Sequence, residues 1–189
     1  TVTFINAEPK DVTGNGRAVV RLSQALAERE VPVLYVQAPQ KLQENDDRLP
    51  TGVTDYGNDY AYQIRSVLAE NNVATLDLRE ALADTGRDWS SFFFRTDHHW
   101  TALAAYYSYV QFCKVAGMEP AALEDFTELD MGPFLGSFYG NCSQSSKLRE
   151  DNVLAYAPPG DITMTITKDN GSAFEWPVLT DMSKSSIFS

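Results

Sequence analysis

Two short runs, Val31-Pro32-Val33-Leu34-Tyr35-Val36 and Val73-Ala74-Thr75-Leu76-Asp77-Leu78, constrain the fold of this chain more than any other feature. The first is continuously apolar, which suits a strand covered on both faces of a parallel sheet. Parallel neighbours need a long crossover, usually a helix. The intervening segment has one: from about Tyr60 to Asn71, Ile64, Val67 and Leu68 fall on one face. A further amphipathic helix over residues 17–29 places Ala18, Val19, Leu22 and Leu26 together. Helix, strand, helix, strand at these spacings predicts right-handed βαβ units. Residues 31–37 and 73–78 are therefore expected as adjacent parallel strands buried on both faces. The polar loop 40–55 would lie at the carboxyl end of the first strand, where open α/β sheets place their sites.

Further along, Arg79–Asp84 reads as a short helix ended by Gly86. Residues 101–116 read as a helix broken by Gly117, and Pro120 opens a short helix near 121–126. Past residue 130 the texture changes. Glycines and prolines break up short runs, and residues 161–167 alternate apolar with polar before Asp169-Asn170-Gly171, a hairpin signal. Residues 1–130 are thus expected to form an α/β core portion, and residues 131–189 a β-rich, irregular lobe or insertion of the same domain.

The formal net charge of −11 argues against nucleic acid or an anionic membrane as partner, since phosphate binding needs clustered Lys and Arg. No stretch approaches the length of uninterrupted apolar sequence that a membrane-crossing helix needs. The chain starts at Thr1 rather than Met and stops abruptly at Ser189, so a longer parent protein with a more complete core is expected. Cys113 and Cys142 permit one disulfide and no zinc site of the usual four-ligand kind. Cys113 shares a helical face with Leu103, Tyr107 and Val110, as a buried core thiol would.

Chemistry concentrates in Phe93-Phe94-Arg95-Thr96-Asp97-His98-His99-Trp100-Thr101, which holds both histidines of the chain. Imidazole exchanges protons near neutrality, and a nearby carboxylate fixes its tautomer and stabilises its cation. An acid two residues before a histidine at the mouth of a helix suits such a device. The plain alternative is that Asp97 or Thr101 is an ordinary helix N-cap and the histidines are packed or solvated.

The runs Val33–Pro39 with Leu49-Pro50, Leu76-Asp77-Leu78-Arg79, Phe94–Thr101 and Gly136-Ser137-Phe138-Tyr139-Gly140 together resemble a known group. They resemble the SGNH-hydrolase-like proteins of bacterial cell envelopes named for their Asp-His-His-Trp motif, relatives of the alginate O-acetylation proteins. The resemblance spans residues 15–160, and Arg-Thr-Asp-His-His-Trp-Thr is its specific part. It implies an α/β, parallel-sheet SGNH-hydrolase-like core and catalytic roles for Asp97 and His99, with His99 as the base that deprotonates a serine and Asp97 orienting it. His98 takes the variable middle position. Arg95, Trp100 and Tyr139 would support or face the substrate. The same resemblance implies a carbohydrate or polysaccharide and an acyl donor as partners, no cofactor, no metal, and a place outside the cytoplasmic membrane.

In that group the nucleophile lies in a Gly-x-Ser turn directly after a hydrophobic strand and follows the Asp-x-His motif. Gly136-Ser137 is the nearest candidate here. Residues 130–135 do not read as a strand of that kind, and an elbow needs one. The expectation is therefore a serine beyond residue 189.

Three functional readings follow. The first is acyl transfer or ester hydrolysis on a cell-surface glycan by Ser–His–Asp chemistry. The second, a metal-dependent phosphoesterase also signed by Asp-His-His, needs more ligands for two metal ions than two histidines in one motif supply. The third is a non-catalytic glycan-binding or assembly module. Tyr56, Tyr60, Tyr62, Trp89 and Tyr139 could stack on sugars there, although the same residues commonly fill cores.

Overall fold

The computed structural model describes residues 4–141, 147–160 and 162–176. Helix α1 (Thr13–Ala27) leads to strand β1 (Leu34–Gln37), helix α2 (Gly57–Glu70) and strand β2 (Ala74–Asp77). β1 and β2 pair in parallel, Leu34 opposite Ala74 and Gln37 opposite Asp77. The sequence periodicity thus found both crossover partners.

Burial on both faces is not found. Val36 is 42 % exposed, and Ala74 and Thr75 of β2 are also exposed. α1 and α2 account for the covered side, where Val20, Leu68 and Val73 form a cluster joined by Tyr35, Ile64 and Val67. Two strands with one covered face account for only part of a parallel-sheet core.

β2 ends in a buried ionic cluster. Asp77 caps helix α3 (Leu78–Ala83) by accepting the Arg79 N–H at 2.9 Å, and takes the Arg79 guanidinium at 2.7 Å and Arg65 as a further partner. Leu82 of α3 enters a second core with Trp89, Phe92, Phe93 and Ala104. Helix α4 (Ala102–Ala116) crosses this core and stops at Gly117, whose left-handed φ of 68° suits glycine. Cys113 is buried on α4. Cys142 lies outside the described residues, and so does any pairing of the two. The short helix expected near 121–126 is a 3₁₀ turn, Leu123–Asp125.

Strands β3 (Thr127–Phe134) and β4 (Asp151–Ala157) form an antiparallel pair with an irregularity between Asp130 and Gly132. A short helix α5 (Ser137–Asn141) lies between them in sequence. Residues 130–134 thus belong to a strand, though not to the hydrophobic kind that an elbow follows. It is half-exposed and polar at alternate positions, which hid it from a search for a continuous apolar run. Strands β5 (Met164–Thr167) and β6 (Ala173–Trp176) make the hairpin that the alternation and Asp169-Asn170-Gly171 predict. The described chain is a mixed α/β structure with three two-stranded sheets, one of them parallel.

Candidate active site

The motif is a loop pinched at its base. Asp88 caps the 3₁₀ turn Trp89–Phe92 by accepting the Ser90 N–H at 3.0 Å, and Phe92 and Phe93 anchor in the core. Phe93 then bridges Trp100 in antiparallel fashion, the Phe94 N–H reaches the His99 carbonyl, and the Thr101 N–H donates to the Phe92 carbonyl at 2.9 Å. Residues 95–98 are held out from this base immediately before α4. Neither plain capping alternative holds. Thr101 stands at the N-cap position but its hydroxyl donates to the Ser91 carbonyl, and Asp97 is engaged elsewhere.

Asp97 is fully buried. Its Oδ1 accepts the His99 backbone N–H at 2.8 Å and meets His99 Nδ1 at 2.5 Å; its Oδ2 accepts the Ser137 N–H at 2.8 Å. Burial alone would push the carboxyl up. The Ser137 and His99 N–H groups, the His99 ring and the Ser137 hydroxyl outweigh it and hold Asp97 well below the ordinary carboxylate range. An ionised Asp97 makes Nδ1 the protonated nitrogen of His99 and Nε2 the basic one. The His99 side chain is 41 % exposed.

The spacing of two thus brings Asp97 and His99 together as the sequence implies. His98 does not turn away as expected. Its ring lies over that of His99, centroids 3.9 Å apart, and its Nδ1 stands 3.1 Å from Ser137 Oγ and 3.6 Å from Asp97 Oδ1. The segment is a bend rather than a strand, so consecutive side chains are not forced to opposite sides. Asp97, His98 and His99 each bring a ligand-type atom within 4.8 Å of the others. The facing atoms engage one another and Ser137.

Ser137 follows strand β3 and opens α5, yet His98 does not link its hydroxyl to Asp97 as a relay would. The one His98 nitrogen that faces its hydroxyl is also the one that faces Asp97. A relay needs the two ring nitrogens to serve the two partners separately.

The other candidates separate. Arg95 turns to β4: its Nε lies 3.3 Å from Asp151 and its Nη2 donates to the Glu150 carbonyl at 2.6 Å. Its side chain remains about half exposed and lines a recess of about 260 Å³ shared with Lys41 and Arg48. Trp100 packs against the Leu82–Phe92 core cluster. Tyr139 stands exposed on α5.

Four residues that frame the dyad carried no role in the sequence reading. Asp151, the first residue of β4, accepts the Arg95 N–H at 2.8 Å, the Thr96 N–H at 2.7 Å and the Thr96 hydroxyl at 2.6 Å. Thr96 accepts the Gly136 N–H on its hydroxyl at 2.9 Å and the Phe138 N–H on its carbonyl at 3.0 Å. Lys41 donates to the Asp97 carbonyl at 2.9 Å. Gly136 was legible only as part of the quoted Gly-Ser-Phe-Tyr-Gly run. The other three contacts span 40 to 56 residues and leave no local pattern.

The fold is similar to that of several solved structures. Bacillus cereus PatB1 aligns at 18 % identity over 90 % of this chain and 61 % of its own, with a TM-score of 0.68. A DHHW family protein from Eubacterium siraeum aligns at 24 % identity over 84 % of this chain and 50 % of its own, TM-score 0.64. The O-acetyltransferase domain of Pseudomonas putida AlgJ aligns at 17 % over 79 % and 58 %, TM-score 0.58. The chain therefore spans between 50 and 61 % of the length of these three structures. No curated protein matches it by sequence. Residues 61–189 match the family described as DHHW protein, and the chain belongs to that family.

Proposed function

We propose that this chain is the acid–base part of a cell-envelope carbohydrate O-acyltransferase or esterase with an SGNH-hydrolase-like core, working outside the cytoplasmic membrane. The observation that carries this reading is the 2.5 Å contact of His99 Nδ1 with a fully buried, ionised Asp97. A serine in the parent protein, outside these 189 residues, supplies the nucleophile. Its hydroxyl proton passes to His99 Nε2 as its oxygen bonds to the acyl carbonyl carbon. The departing donor oxygen takes that proton as the acyl–oxygen bond breaks, leaving an acyl-serine. A sugar hydroxyl or water, deprotonated by the same nitrogen, then bonds to the acyl carbon as the serine–acyl bond breaks and the serine oxygen takes the proton back. The similarity to the O-acetyltransferase domain of AlgJ supports acetyl as the acyl group. No described helix is long and apolar enough to cross a membrane. Arg95, on the 260 Å³ recess, and exposed Tyr139 are the residues proposed to face substrate. Trp100 supports the loop from the core side.

The test is covalent labelling of the full-length protein with a sulfonyl fluoride, followed by peptide mass spectrometry and an activated acetyl ester assay. A single adduct on a serine outside residues 1–189, with loss of turnover, is expected. An adduct on Ser137 would move the nucleophile into this chain, and neither label nor turnover would favour the non-catalytic module.

A further inference from the structure

We propose that Lys41 is a positioning residue for the Asp97–His99 dyad, holding the loop in register through its ammonium group. Lys41 lies four residues beyond the end of β1, at the carboxyl end of the parallel pair, and is only 6 % exposed. Its Nζ donates to the Asp97 carbonyl at 2.9 Å and the Arg95 carbonyl at 3.2 Å. The same Nζ stands 5.1 Å from the centroid of the Phe138 ring, within cation–π range. Phe138 directly follows Ser137, whose N–H holds Asp97 Oδ2. One ammonium therefore touches both segments that fix the carboxylate, residues 95–97 and residues 137–138.

The stem is held as well. The Lys41 carbonyl accepts from Trp89 Nε1 at 3.1 Å and Arg48 Nη2 at 3.2 Å. Nothing in the acyl-transfer reading uses this residue, whose ammonium holds the backbone of the loop. It acts through Asp97. The inference rests on His99 being the base.

The charged groups around Lys41 come from three elements: Asp97 and Arg95 on the loop with the two histidines, Asp151 on β4, and Arg48 on its own loop. Burial lowers its pKa from 10.5 to about 8; Asp151 and Asp97 oppose the shift and Arg48 adds to it. The sign matters for the test. Between pH 8 and 10.5 the unfolded chain binds more protons than the folded one, so deprotonating Lys41 does not lower stability. What weakens is the charge-assisted bond to the loop carbonyls. A merely structural lysine would change the melting temperature, whereas a positioning lysine changes the dyad while the fold stays.

The experiment uses the full-length protein as wild type, Lys41→Arg and Lys41→Met. Acetyl-ester turnover is followed from neutral pH to well above 8, and proton NMR follows the downfield Nδ1 proton of His99 over the same range. In the wild type that proton should shift or broaden as pH passes about 8, without loss of folded signal. Lys41→Met should lower kcat at neutral pH by about tenfold or more, with KM little changed, as expected when a bond to a charged donor is removed. Lys41→Arg should move the alkaline fall upward, because a guanidinium keeps its proton. A wild-type Nδ1 proton unmoved through pH 8 overturns the proposal, as does full kcat in a folded Lys41→Met. Absence of turnover in every form would instead overturn the acyl-transfer reading, and the NMR result would still decide the role of Lys41.

Discussion

Gly136 and Asp97 approach so closely that position 136 has no room for a side chain. A Cβ there would lie 2.3 Å from Asp97 Cβ, 2.7 Å from its Oδ2 and 2.7 Å from the Thr96 carbonyl oxygen. None of these atoms is the free end of a flexible chain, so the strand-to-helix segment would have to move off the loop. Such movement breaks the Gly136 N–H bond to Thr96 and the Ser137 N–H bond to Asp97. Gly136→Ala is therefore expected to lower stability by about 1–3 kcal/mol, the usual range for overpacking. Urea unfolding reads the stability, and ester turnover by the full-length protein should fall with it. A variant that melts and turns over like wild type would show that the loop and α5 tolerate separation.

The cluster at the end of β2 makes a second, purely structural prediction. Asp77 is 2 % and Arg79 10 % exposed in their side chains, and they are joined at 2.7 Å. Asp77→Ala would leave the Arg79 charge buried against Asn58 and remove the cap of α3. Breaking a buried pair from one side costs roughly 3–5 kcal/mol. Arg79→Met should cost less, because no charge is stranded in its place apart from Asp77, which keeps Arg65. Denaturant midpoints of the two variants give the order, and an Asp77→Ala no worse than Arg79→Met would contradict it.

Periodicity revealed the helices and the parallel pair because each is written within a window of a dozen residues. Ile64, Val67 and Leu68 mark the buried face of α2, and Leu68 is indeed fully buried. β3 escaped because Glu128, Asp130 and Pro133 interrupt it, and only pairing with β4 makes Thr127–Phe134 a strand. The dyad was legible because the chain brings both its members within two residues. Its frame was not. Asp151, Lys41 and Thr96 act over separations of 40 residues or more, through backbone atoms common to any sequence. His98 shows the limit of local geometry, since a bend places its ring on the same side as that of His99.

Acid should draw down the stability that this frame supplies. For Asp151 burial pushes the carboxyl up, but the Thr96 hydroxyl, the Arg95 and Thr96 N–H groups and the Arg95 guanidinium bring it below its ordinary 3.8. Asp97 is lowered further. With native values depressed, the unfolded chain takes up protons first as pH falls. The stabilisation is therefore fully present above 3.8 and lost as pH drops through the native values. Asp151→Asn removes one such carboxylate. Its unfolding free energy should depend less steeply on pH below 3.8 than that of the wild type. Equal slopes in urea titrations at several acidic pH values would show that Asp151 contributes nothing to acid sensitivity.

The two adjacent histidines should separate functionally although they stack. His99 faces Asp97 through a nitrogen that donates to a buried carboxylate, and its second nitrogen is the proposed base. His98 faces Ser137 Oγ and Asp97 Oδ1 with a single nitrogen, so it cannot pass a proton from one to the other through the ring. His99→Ala in the full-length protein should raise the barrier by at least ~4 kcal/mol, roughly a thousandfold in rate, as for the loss of a triad base. Asp97→Asn should cost nearly as much, because the amide can donate to Nδ1 and favour the wrong tautomer. His98→Ala removes a ring stack and a half-exposed hydrogen bond, and Ser137→Ala removes a hydroxyl while keeping the N–H that holds Asp97. Each should stay within about tenfold of wild type, the scale of one hydrogen bond. Ester turnover of the four variants, with melts to confirm folding, decides the assignment. If His98→Ala abolishes turnover while His99→Ala retains it, the base is the first histidine, and a matching loss in Ser137→Ala would make Ser137 its nucleophile.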